Sequence, residues 1–296
     1  MTSKERVLST LNFTNTQDRV PRQLWSLPWA NEHCSEMMEQ LARDFEWDFD
    51  GPDTVLKEPP TTKGDAYTVG EYVDEWGCVF TNIHRGVIGE VKKPIVEDEE
   101  WNDVEKVHIP EELLTFDIDQ VNRSCERKQD KFLFASCCPR PFEQLQFIRG
   151  TANFYMDLMD PSPKMLEFMK RMHDFYSRLM EKWAKTDVDA LNMMDDWGSQ
   201  KDLLIDLGLD AVNSQLFCMG LENLEQFRGK ITFWGEIDRQ HLLPEGTPAD
   251  IDRAVEAVYK TLWKDGGCIA QCEFGPGAKP ENVYQVFKAW ENIRNR

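Results

Sequence analysis

Positive charge is scarce in this sequence: 34 lysines and arginines stand against 53 aspartates and glutamates, a formal net charge of -19. An unaided nucleic-acid or anionic-membrane surface needs a basic face to displace counterions, so neither partner is expected. Long apolar runs are missing too, which argues against a membrane-spanning helix. No G-x-G-x-x-G or G-x-x-x-x-G-K-[ST] pattern occurs, so neither common nucleotide-phosphate loop is available. Histidine occurs only five times, at His33, His84, His108, His173 and His241, and any imidazole ligand or base must come from that set.

A secretory leader is also lacking at the start, where Thr2-Ser3-Lys4-Glu5 forms a capping-box pattern that opens a helix with Val7, Leu8 and Leu11 on one face. The expectation is a cytoplasmic protein whose eight cysteines remain thiols. What is plentiful is core material: 41% hydrophobic residues, with ten tryptophans and seventeen phenylalanines, suit a globular protein.

Along the chain, residues 19–25 read as a first strand. An antiparallel hairpin elaboration is expected over about residues 66–95, with "HRG" at its turn. The acidic stretch at residues 96–112 reads as a solvated connection. After Lys131 strands and helices alternate: "KFLFAS", a helix capped by Ser162 with Pro163 at its first position, "DALNMM", the helix "DLLIDLG", "DAVNSQ", a helix near "LENLEQF", "ITFWGEI", a helix from Thr247, "CIAQCEF" and a last helix. The methionine stripe Met165, Met169, Met172 and Met180 is core packing in this reading. Such alternation predicts an α/β fold with a parallel sheet, best matched by a TIM-like (β/α)8 barrel formed by residues 1–296 as a single domain.

In such barrels chemistry gathers at the carboxyl ends of the strands. There the sequence places Asp195 and Asp196, Asn213, Ser214 and Gln215, Glu236 and Asp238, and Cys272 and Glu273. Asp195, Asp196, Glu236 and Asp238 are the candidate catalytic carboxylates. Trp197, Asn213, Gln215, His241 and His84 are the candidate substrate contacts, Trp197 as an apolar wall. The plainer alternative for the aspartate pair is that one caps a helix or turn while the other faces water.

The runs "FEQLQFIRGTANFYMDLMDPSPKMLEFMKRMHDFY", "DALNMMDDWGSQ", "LGLDAVNSQ", "GKITFWGEIDRQHLLPEGTP" and "GGCIAQCEFGPGAKPENV" resemble the uroporphyrinogen decarboxylase superfamily, and within it the branch of cobalamin-dependent methyltransferase-like proteins. The opening "SKERVLSTLNFTNTQDRVPRQLW" is similar to it too, so the resemblance extends over nearly the whole chain. It implies a (β/α)8 barrel that moves a methyl group to or from a corrinoid. A corrinoid protein is then a partner, and a small methyl donor or acceptor the other reactant. Zinc is the implied metal, with Cys272 as the surviving ligand and Glu273 as an oxygen alternative. Cys268 is too far along the strand to share one tetrahedral zinc with Cys272. A homodimer is plausible for such a family.

Two departures bear on activity. True uroporphyrinogen decarboxylases carry an arginine-bearing "RQAGR" segment that meets the porphyrinogen's acidic side chains, whereas here Arg22 and Gln23 are followed by "LWSLPW". A zinc-bearing βα unit of the methyltransferase branch, about 30 to 40 residues, is also expected to be missing between Gln200 and Asp202, either lost from the protein or omitted from this sequence. Porphyrinogen decarboxylation and a non-catalytic binding barrel that has lost its metal site therefore stand as alternatives.

Overall fold

Four strands, Arg22–Ser26, Cys268–Phe274, Thr232–Glu236 and Ala211–Gln215, lie side by side in that order, and every pairing is parallel. The structure is a computed structural model that describes residues 1–195 and 201–293. It forms two compact units, one of Met1–Asp50, Asp130–Phe132 and Trp197–Arg296, the other of Gly51–Gln129 and Leu133–Asp196.

The parallel sheet belongs to the first unit. Side chains alternate across a strand, so each strand offers every second residue to one face. Cys268, Ala270, Cys272 and Phe274 fall on the face that packs with Phe233 and Val212. Helices Pro248–Leu262 and Pro280–Ile293 cover that face with Ile251, Val255, Val258, Val283, Val286 and Phe287, all fully buried. Each such side chain contributes roughly 1.5–3 kcal/mol relative to an exposed one. Thr247 and Asp250 close the capping box that starts the first of these helices, and the opposite face carries polar residues and tryptophans together with Ile269.

The N-terminal helix Ser3–Leu11 begins at the expected capping box of Thr2 and Glu5. It is tied down by an ionic staple around Asp48, which is fully buried. Arg6 Nη1 reaches one carboxylate oxygen at 2.5 Å, and Arg19 forks onto both oxygens at 2.6 and 2.9 Å. The backbone N–H of Arg22 donates to the same carboxylate at 2.8 Å. Further along, Thr10 O accepts from Gly267 N, and a Cβ on Gly266 would collide with that same oxygen. Glycine is required there so that helix and strand backbones can approach.

The second unit has its own core of Trp76, Trp101, Phe116, Phe168, Phe175 and Trp183. Helix Pro163–Trp183 runs through it, capped by Ser162 as expected, with Met165 and Met172 buried. The expected hairpin is a three-stranded antiparallel sheet, Gly70–Val73, Val79–Asn82 and Glu90–Val91. Asp74 shapes its first turn by accepting from the N–H groups of Trp76 and Cys78, and from Gln144 Nε2.

One expectation needs correction, and another is met only as far as an α/β fold with a parallel sheet. The stretch at residues 96–112 is not merely solvated: Val96, Trp101, Val104 and Val107 are buried in the second core, because its acidic residues leave these apolar ones free to turn inward. Nor do eight strands close into a barrel among the described residues. "DALNMM" gives a single parallel bridge, Phe134 to Ala190, after which Met194 N–H bonds Pro139 O and the chain leaves the strand course. The expected loss of a βα unit between Gln200 and Asp202 borders residues 196–200, which lie outside the described ones. Helix Lys201–Asp206 comes next, and Gly208 just beyond it has φ 80°.

Removing a single partner from a buried ion pair strands the others. Asp48→Ala, which removes the buried carboxylate that Arg6 and Arg19 share and leaves Arg6 with Asp18 alone, is expected to cost on the order of 3–5 kcal/mol, read as a lowered urea midpoint with unchanged slope.

Candidate functional site

The sheet's register fixes what stands on its polar face. Gln23 pairs with Gln271, Gln271 with Glu236, and Glu236 with Gln215. These four side chains therefore form one row straight across four strands. Trp25 and Glu273 pair one step further toward the carboxyl ends, while Trp234 and Asn213 pair one step back. Trp25 and Trp234 project from strands flanking Cys268–Phe274, and their rings meet edge to face with centroids 5.3 Å apart. They close over the strand that carries Gln271.

At the end of the row, Gln215, Leu216, Phe217, Cys218, Glu236, Asp238, Arg239 and Gln240 line a small cleft of about 200 Å³ including its open mouth. Glu236 is 4% exposed, and its Oε2 accepts no hydrogen bond among the described residues. Its nearest cation is Arg239, whose Nε lies 3.7 Å away and whose Nη1 is bound to the Glu273 carboxylate. Burial pushes the Glu236 carboxyl up from the ordinary glutamate range; Arg239 opposes this and Glu273 adds to it. Gln271 is fully buried, with neither Oε1 nor Nε2 partnered among the described residues.

The remaining candidates divide by role. Asp238 is engaged with its own loop: Oδ1 accepts from Gln240 and His241 N–H at 2.9 Å each, and Oδ2 lies 3.2 Å from the exposed His241 ring. Asn213 donates to Trp234 O at 2.7 Å, and Gln215 Oε1 accepts from the Cys218 thiol. Asp195 lies in the second unit and accepts from Phe142 and Glu143 N–H at 2.8 and 2.9 Å. Those amides open helix Pro141–Arg149, so Asp195 caps it, the plainer of its two readings. His84 is in the second unit as well, exposed at the turn after Asn82, whose Oδ1 accepts its backbone N–H. Asp196 and Trp197 lie outside the described residues.

Cys272 and Glu273 are not brought together. Adjacent strand residues point to opposite faces: Cys272 lies fully buried in the apolar core, while Glu273 sits on the polar face with Arg239. Burial pushes the Cys272 thiol well up, away from the thiolate that zinc requires. Among the described residues no group of three or more His, Cys, Asp or Glu side chains could hold a metal ion. The donor set expected for zinc does not fit one.

Reading residues by type missed Gln271 and Arg239. The signal for Gln271 was present, since an amide alternating with Cys268, Ala270 and Cys272 falls on the opposite face, between Ile269 and Glu273.

No protein-family model matches the chain, and no curated protein matches it. Among solved structures it is similar to a methyltransferase from Methanosarcina mazei, at 14% identity over 99% of each chain, with a TM-score of 0.57. At that identity the likeness is one of fold.

Because Glu236 holds its proton more tightly folded than unfolded, the native state binds more protons above the unfolded pKa of about 4.3, and stability falls as pH rises from there. Glu236→Gln is expected to remove this decline: equal to the native chain in acid, then more stable by a margin that grows until folded Glu236 ionises. Urea titrations from pH 4 to 8 measure it. Asp195→Ala is expected to cost about 1 kcal/mol through the lost cap, measured the same way.

Proposed function

We propose that this chain is a methyltransferase of the uroporphyrinogen decarboxylase superfamily, acting at the carboxyl ends of the Thr232–Glu236 and Cys268–Phe274 strands. The observation that carries the reading is the fold likeness to a solved methyltransferase along the full length of both chains. The polar row supports it, because at Gln215 and Glu236 it reaches the carboxyl ends of two parallel strands, where α/β enzymes hold substrates. In this reading the parallel sheet of the first unit is an arc of a (β/α)8 barrel.

The methyl group would leave its donor as a methyl-cation equivalent, the bonding pair remaining on the donor atom, and join a nucleophile. A cobalt(I) corrinoid carried by a partner protein is the acceptor that the sequence resemblance implies. The chain's part is positioning: Glu236, Gln271 and Gln215 orient the donor, and Trp25 and Trp234 exclude water from it. No step is routed through zinc, since Cys272 and Glu273 face opposite ways.

Porphyrinogen decarboxylation is less well supported. A polycarboxylate needs several cations, yet among the described residues lining the cleft Arg239 is the single one and is already held by Glu273. Arg22, in the expected arginine segment, instead donates through Nε to Glu46 O and packs over Phe45.

The test supplies reduced corrinoid and a panel of N-, O- and S-methyl donors and follows methylcorrinoid by absorbance. Turnover with at least one donor is expected, falling by about tenfold or more in Glu236→Gln, as for loss of a charged hydrogen bond. No methylcorrinoid from any donor, with loss of carboxyl groups from a tetrapyrrole instead, would overturn the reading.

A further inference from the structure

Three buried polar atoms on neighbouring strands lack hydrogen-bond partners among the described residues: Oε2 of Glu236, whose ion-pair contact to Arg239 Nε is 3.7 Å long, and Oε1 and Nε2 of Gln271. The two residues are register partners in a parallel pairing, so their Cα atoms lie about 4.8 Å apart and both side chains rise from the same face. Leaving such groups unsatisfied costs on the order of 1–3 kcal/mol each. We propose that Glu236 and Gln271 together bind the protonated nitrogen of a small primary or secondary amine. This deepens the methyl-transfer reading by naming a substrate class, and depends on that reading only for the chemistry after binding.

The chemistry of the row selects that group. Whichever way the Gln271 amide is turned, the pair presents two acceptors and one amide donor. An alcohol has one proton to share between two acceptors, whereas an ammonium group with two or more N–H bonds can donate to both. Charge points the same way. Glu236, Glu273 and Asp238 set three carboxyl groups around the single guanidinium of Arg239. A carboxylate or phosphate would meet this excess with no proton to offer. Trp25 and Trp234, on the same face, supply apolar surface for alkyl substituents. The Gln271 N–H is left for a second acceptor on the ligand or a water.

The experiment titrates the full-length, 15N-labelled chain with ethylammonium chloride, with ethanol as the neutral counterpart and potassium chloride as the salt control. Side-chain amide resonances report binding, with that of Gln271 identified by its disappearance in Gln271→Leu. A saturable shift of the Gln271 amide with ethylammonium is expected, with ethanol weaker by about tenfold or more, as for a charged against a neutral hydrogen bond. Glu236→Gln should weaken ethylammonium by a similar factor. Equal binding of ethanol, undiminished binding by Glu236→Gln, or no saturable shift would each overturn the proposal. Amine binding without methylcorrinoid formation would sink the methyl-transfer reading alone, and turnover without amine binding the amine site alone.

Discussion

Parallel pairing in one register is the constraint on which the first unit depends. Because Gln23, Gln271, Glu236 and Gln215 are strict partners across four strands, their side chains emerge in a single line on one face. The same alternation sends Cys268, Ala270, Cys272 and Phe274 to the other face, where two helices bury them. Apolar packing on one side thus fixes the polar row on the other. A slip of one residue in Cys268–Phe274 would put Cys272 in the row and Gln271 in the core.

That dependence explains what could be read in advance. Helix starts were legible because capping is local: Thr2 with Glu5, Ser162 before Pro163, and Thr247 with Asp250 each announce a helix within four residues. The strands around Asn213, Trp234 and Gln271 were legible from short apolar runs bounded by turn residues. The facing of Cys272 was harder, since a residue type suited to zinc competed with a period-two pattern that puts it in the core. Asp195 was ambiguous for a different reason. The amides it caps belong to Phe142 and Glu143, more than fifty positions away, and no local signal connects them. Trp101 was misjudged because the carboxylates around it dominate the composition, while burial follows the apolar residues between them.

Arginine usage ties stability to chemistry. Arg6 and Arg19 are committed to Asp48, and Arg22 to Glu46 O, with a second contact 3.8 Å from Glu291. Burial and the nearby Arg19 charge lower the Arg22 guanidinium to about 10, so its cation is held at a cost that Glu291 and Asp48 partly offset. In a chain with net charge -19, these residues hold the N-terminal helix against the sheet and leave Arg239 to balance two glutamates at the cleft. The result is a site rich in acceptors and poor in cations, suited to a ligand that donates protons.

The most direct measurement is a crystal structure of the full chain at a resolution that orders solvent, with attention to the space between Gln271 and Glu236. Density for a water or small ligand bonded to both side chains, with the indoles of Trp25 and Trp234 closed over it, is the expected result. A Gln271 amide satisfied by other protein atoms, with the Glu236 carboxylate turned away from it, would contradict a binding site on this face of the sheet.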